Sequence, residues 1–149
     1  LDILYPHSNQ GDSDVPDIST IVVPDAAATP VNHTFTKVKV DGDSAYFVEQ
    51  SAASALGYWT LVLTQRAPLA GQIEKVYRSK ASLAMPVTVI ETINGIGRPS
   101  LEYTLRSNTE CVVPAAAVLQ NRKDLRKVTV GILNDPAFVA MVETQLNVT

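Results

Sequence analysis

The strongest constraint in this chain is a change of rhythm near residue 115. Up to that point β-rich runs alternate with turn residues, the runs covering residues 20–23, 33–40, 45–49, 58–66, 75–85, 87–93 and 100–113. Turn chemistry lies between them, in Asp41-Gly42-Asp43, in Ala67-Pro68 through Gly71, and in Asn94-Gly95-Ile96-Gly97. Closely spaced strands with such turns predict an antiparallel sheet, since hairpins need few residues and those few must tolerate unusual backbone angles. Beyond the change, Asn121 with Asp124 three residues on makes a variant capping box, and Leu125, Val128 and Ile132 follow at helical spacing. Asn134-Asp135-Pro136 ends that helix and starts another, carrying Phe138, Val139, Met141, Val142 and Leu146, because Asp suits an N-cap and Pro the first helical position. The prediction is seven strands, then two short helices that pack on the sheet, an α+β arrangement.

A chain of 149 residues with 46% hydrophobic and 18% charged residues has the size and composition of one domain with a buried core. No apolar stretch reaches the roughly 18 residues a membrane-spanning helix needs, and the longest candidate, residues 111–119, is interrupted by Pro114. The opening Leu1-Asp2-Ile3 has neither the basic nor the apolar region of a secretory signal. Cys111 is the only cysteine, which excludes an intrachain disulfide framework or a cysteine-based metal cluster and suits a reducing compartment. The net charge of −3 is unevenly spread: residues 1–17 carry Asp2, Asp12, Asp14 and Asp17 with no Lys or Arg, and the rest holds 12 basic against 11 acidic residues. Residues 1–18 therefore read as an acidic arm with too little apolar surface to fold alone, and residues 19–149 as the folded domain. Any basic surface has to arise by sorting charges between faces.

Side chains alternate across a strand, so each long strand divides into two faces. Trp59, Leu61 and Leu63 oppose Thr60, Val62, Thr64 and Arg66; Tyr77, Ala81 and Leu83 oppose Arg78, Lys80 and Ser82; Leu105, Thr109, Cys111 and Val113 oppose Thr104, Arg106, Asn108 and Glu110. If these strands share a sheet, Arg66, Arg78, Lys80 and Arg106 collect on a face otherwise made of hydroxyl and amide side chains. Such a face suits RNA, because the cations neutralise phosphates while short polar groups reach base edges. It is equally the pattern of a half-buried sheet with one wetted side.

Other signals carry less. His7 and His33 have no Cys, Asp or Glu at metal-ligand spacing, and no cofactor is implied. No nucleophile elbow, phosphate-binding loop or zinc-protease motif is present, and no general base is paired with a nucleophile, so the chain is not expected to be an enzyme. Arg122-Lys123 and Arg126-Lys127 repeat at helical spacing and read as a solvated helix face, with contact between subunits as the rarer role.

The ordered set resembles the coat proteins of single-stranded RNA bacteriophages over residues 19–149. The segment Ser44-Ala45-Tyr46-Phe47-Val48-Glu49, a short linker, and Trp59-Thr60-Leu61-Val62-Leu63-Thr64-Gln65-Arg66 look like consecutive strands of that family. Glu102-Tyr103-Thr104-Leu105 through Val112-Val113-Pro114, followed by Asn121-Arg122-Lys123-Asp124-Leu125, resemble its last strand and first helix. The resemblance implies an N-terminal β-hairpin (residues 19–40), a five-stranded antiparallel sheet (44–114) and two C-terminal helices (118–147), in an interlocked dimer whose helices cross the partner's sheet. It implies further that dimers close an icosahedral shell around single-stranded genomic RNA in a virion assembled in the bacterial cytoplasm, without a membrane, and that a hairpin bound on the inner face can repress translation. By position, Thr60, Thr64, Arg66, Arg78, Lys80, Ser82, Arg106 and Asn108 would be the RNA-contacting set, and Asn94, Gly95, Ile96, Gly97 and Arg98 the loop at the symmetry axes. Val62, Glu102 and Glu110 share the polar face and depart from an ideal RNA surface. The rival reading is a small oligomeric RNA-binding regulator that forms no shell; its usual support, aromatic side chains on the binding face, is missing where Trp59 and Tyr77 fall on the apolar side.

Overall fold

The computed structural model describes residues 18–145. Residues 1–17 of the acidic arm, His7 among them, and Leu146 with the end of the second predicted helix lie outside the described residues. One antiparallel sheet holds six strands in chain order: β1 (Thr20–Pro24), β2 (Asn32–Asp41), β3 (Ser44–Glu49), β4 (Trp59–Arg66), β5 (Val76–Ile93) and β6 (Ile96–Pro114). Two helices follow, α1 (Leu119–Leu133) and α2 (Pro136–Glu143). The predicted hairpin, β1 with β2, is therefore an edge of the same sheet, which has six strands where the resemblance implied a separate hairpin and five.

The runs at 75–85 and 87–93 are one strand, which reduces the expected seven to six. Pro86 suggested a break because proline has no N–H for a ladder. In the structure Pro86 pairs with Thr104, while the last β4 partner of β5 is Ala84, opposite Thr60. On the β4 side there is no ladder bond for Pro86 to lose. The β5–β6 hairpin closes at Asn94 (φ 53) and Gly95 (φ 78) between paired Ile93 and Ile96. Two successive left-handed residues make the tight turn whose twist matches the strands, and Asn-Gly is the dipeptide best suited to it.

The first helix does not begin at Asn121, the cap read from the local pattern. Its N-cap is Val118, which makes no side-chain capping bond. After Pro114, a tight turn with Ala117 N–H donating to the Pro114 carbonyl (2.9 Å) lets the helix start before Asn121, and Asp124 instead accepts from Gln120 Nε2 at 2.7 Å. The second helix starts as the sequence indicates: Asp135 Oδ1 accepts from Ala137 N–H at 2.9 Å, and Pro136 takes the first position.

Only Phe35 and Phe47, each 2% exposed, are fully buried apolar residues among those described. The helices leave the apolar face open: α1 touches β6 beside its end at Val112, Val113 and Pro114, and α2 touches α1, neither buries a residue, and Leu105, Leu125, Ile132 and Met141 are all exposed. At about 25 cal/mol per Å² of apolar surface removed from water, so open a face is a large stabilisation not realised within one chain.

Candidate nucleic-acid interface

Directly paired residues of an antiparallel sheet point to the same side, so the register sorts the faces. Four rungs run across β4, β5 and β6: Thr60 with Ala84 and Arg106, Val62 with Ser82 and Asn108, Thr64 with Lys80 and Glu110, and Arg66 with Arg78 and Val112. All eight residues singled out in the sequence thus stand on one face. β3 extends it, pairing Val48 with Thr60, Tyr46 with Val62 and Ser44 with Thr64, and the Ser44 and Thr64 hydroxyls are 2.9 Å apart.

The face is not uniform. Thr64, Arg66, Arg78, Lys80 and Ser82 line a shallow concavity of about 400 Å³, whereas Thr60, Arg106 and Asn108 lie outside it toward the middle of the hairpin. Tyr46 and Val62 form part of its wall, and Glu110 its acidic edge. Glu110 Oε1 lies 3.5 Å from Arg78 Nη1, both side chains being nearly half exposed; a pair this exposed contributes little to stability. Glu102 falls in the bulge opposite Val87 and Thr88, outside the pairing register.

Tyr46 was missed. Splitting the run 44–49 by alternation places it with Val48 opposite Thr60 and Val62, and Lys39 Nζ sits 4.4 Å from its ring centroid. The polar face therefore does carry an aromatic ring, polarised by a cation. The segment read as a symmetry-axis loop is mostly strand: only Asn94 and Gly95 form the turn, while Ile96, Gly97 and Arg98 pair with Ile93, Thr92 and Glu91. All five are exposed at the hairpin tip. The tight Asn-Gly turn lets pairing continue up to that tip.

A second polar cluster lies on the other side of the sheet. His33 stacks on Trp59 (centroids 4.3 Å apart) between two carboxylates, with Nε2 3.5 Å from Asp25 and Nδ1 3.7 Å from Glu49. Asp25 Oδ1 also accepts from the Ala27 and Val31 amides at 3.2 and 2.9 Å, holding the β1–β2 loop. These bonds, Val31 first, then Ala27 and His33, keep the Asp25 carboxyl below its ordinary value of 3.8. The carboxylates flank opposite ring nitrogens rather than converging, and no group of described residues has the arrangement of a metal site. Among the described residues no helix is long and apolar enough to cross a membrane.

One cationic face, one uncovered apolar face and helices that shelter nothing of their own define a structural subunit. Residues 16–148 match the family model described as levivirus coat protein, and the chain belongs to that family. It is thus a capsid protein of the virion and not an enzyme. The subunit of the virus-like particle of bacteriophage ESE058 is 35% identical, with a TM-score of 0.81 over 90% of this chain and 100% of that one. The virus-like particle of Beihai levi-like virus 21 (24% identity, TM-score 0.77, 90% and 99% coverage) and the protein capsid of bacteriophage GA (17%, 0.68, 86% and 95%) share the fold. No curated protein matches the chain in sequence.

Proposed function

We propose that two copies of this chain pair through β6 and their helices, that the dimers close into an icosahedral shell, and that the cationic face binds single-stranded RNA inside it. The observation that carries RNA binding is the four-rung register, which gathers Arg66, Arg78, Lys80 and Arg106 with Thr60, Thr64, Ser82 and Asn108 on one face. Pairing is supported by the edge strand: β6 offers 19 residues, Ile96–Pro114, a length of unpaired backbone that invites another strand. A second β6 laid antiparallel against it would make one continuous cationic floor, and the helices of each copy would cross the partner's apolar face. The Asn94–Arg98 tip then meets its equivalents around the symmetry axes. A hairpin held on this floor would also let the dimer repress translation of a message that carries it.

The test is chromatography of the recombinant protein with absorbance at 260 and 280 nm, then electron microscopy of the earliest peak. Uniform shells containing nucleic acid are expected. A dimer that stays small when RNA is added would replace the shell with a regulatory RNA-binding role. For the face itself, single-strand affinity should fall with salt, and Arg78→Ala should reduce the slope of log K against log salt by about 0.7, one phosphate's share; an unchanged slope would move the RNA elsewhere.

A further inference from the structure

The rung of Glu91 and Arg98, near the end of the β5–β6 hairpin, has no part in the cationic face. The two are the only charged residues from Thr88 to Leu101. They stand directly opposite each other and are exposed, yet among the described residues neither forms an ion pair. Directly opposed residues share a face, and so do alternate residues along a strand. Ile93 and Ile96, paired beside the turn, therefore lie on the same side as Glu91 and Arg98. Those isoleucines are 55% and 59% exposed, an apolar pair that the described chain leaves open. The other side offers no such set: Thr92 opposes Gly97 and Ile90 opposes Pro99. There the Ile90 Cγ2 lies 2.9 Å from where a Gly97 Cβ would be, closing over its own backbone.

Sign and strand go together. The acid is on β5 and the base on β6, so the hairpin has one acidic and one basic long edge. Backbone pairing does not take the basic edge: Pro99, next to Arg98, has no N–H, and a proline within a strand turns its nitrogen to the open side. In the proposed dimer a second β6 therefore pairs along the stretch from the bulge at Glu102 to Pro114, and both outer edges remain for side-chain contacts. Cross-strand partners are also level, equally far from the Asn94-Gly95 turn. Rotation about an axis toward which the hairpin points preserves that level. The acidic edge of one copy then faces the basic edge of the next, with Glu91 beside Arg98 and Ile93 beside Ile96.

We infer that these hairpins gather around each symmetry axis edge to edge, Glu91 of one subunit pairing with Arg98 of the next and Ile93 packing beside its neighbour's Ile96. This rests on the shell proposed above, in which the hairpin tips meet at the axes. The contact is head-to-tail, the kind that closes into a ring. Because each copy gives one acid and one base, the ring is complete for any number of copies. An exposed ion pair contributes little alone, but each copy makes the contact twice, once by each edge, and the isoleucines beside it lose water as it forms.

The experiment compares the full-length protein with Glu91→Arg and Arg98→Glu variants. Native mass spectrometry reads the dimer of each; light scattering and electron microscopy then read the yield of shells when RNA is added. Each single variant sets like charges against each other on every meeting edge, so it should keep its dimer while its shell yield falls several-fold. An equal mixture of the two single variants should regain that yield, because one then offers only bases and the other only acids, and opposite charges meet only between chains. The double variant, with both charges exchanged, should assemble as well. Single variants that assemble like the unchanged protein would overturn the contact. So would a mixture that fails while the double variant succeeds, which places the pair inside one hairpin, or a single variant that loses its dimer. Unchanged dimers that close no shell with RNA would refute the shell itself, a failure read before any variant is compared.

Discussion

His33 Nδ1 faces Glu49 Oε1 across 3.7 Å, too far for a hydrogen bond, and this buried ring nitrogen has no other partner. Glu49 is itself only 4% exposed and uses the same oxygen to accept from the Ser51 amide at 3.0 Å. The carboxylate thus serves the end of β3 and the N-terminal hairpin together.

Removing it should be costly. Glu49→Ala removes the acceptor of the Ser51 amide and the carboxylate nearest the buried His33 Nδ1, and a loss of about 1–3 kcal/mol is expected. Urea unfolding at fixed protein concentration would measure it; a change below about 0.5 kcal/mol would mean that the hairpin is held by its strand pairing alone.

Asp25 sets an acid response. Its carboxyl is held below 3.8 in the folded chain. A depressed folded-state value contributes stability that is present above the unfolded value and is lost as pH falls through the folded one. Below about pH 3.8, then, the β1–β2 loop should loosen. Carboxyl-carbon NMR of Asp25, followed with the Ala27 and Val31 amides, should show them titrating together; Asp25→Asn should remove that step while other carboxylates still titrate.

Gly57 is a steric test of the support behind the long hairpin. A Cβ there would lie 2.9 Å from the Ala52 Cβ and 3.6 Å from Thr88 Oγ1. Gly57→Ala should destabilise the protein by about 1–3 kcal/mol through overpacking, seen as a lower urea midpoint with an unchanged slope. Gly42, with open space at its Cβ position, is the contrasting site, where strain comes only from its φ of 53°.

Tyr46 and Arg78 should fail differently. If a base stacks on the Tyr46 ring, Tyr46→Ala should weaken single-strand binding by about 1–3 kcal/mol without altering its salt dependence. Arg78→Ala should alter the salt dependence. Titrations at several salt concentrations separate the two; a salt-sensitive loss at Tyr46 would show that its part is to position Lys39.

The polar face was legible because alternation and pairing are governed by the same two-residue period: once β4, β5 and β6 are neighbours, assigning a residue to a face needs no coordinates. Asp135-Pro136 was legible because a cap and a fixed φ are local chemistry. Pro86 misled, since whether proline breaks a strand depends on where the adjacent strand stops, which is not local information. Asn121 misled for the same reason: the chain leaving β6 fixed the helix start, with no capping side chain needed. Tyr46 needed only the alternation argument applied to one more strand. The surroundings of His33 could not be read at all, because Asp25, Glu49 and Trp59 come from three separate segments.

The unequal strand lengths have a mechanical consequence. β4 stops opposite Met85, and the last outside support for the β5–β6 hairpin is the turn at Ala55–Gly57 against Thr88. From Val89 paired with Ser100 out to the Asn94-Gly95 tip, two strands continue without a third. A two-stranded ribbon carries a larger twist than a wide sheet. One polypeptide therefore joins a six-stranded floor to a two-stranded blade beyond Thr88, and the blade is free of the neighbours that set the floor's twist.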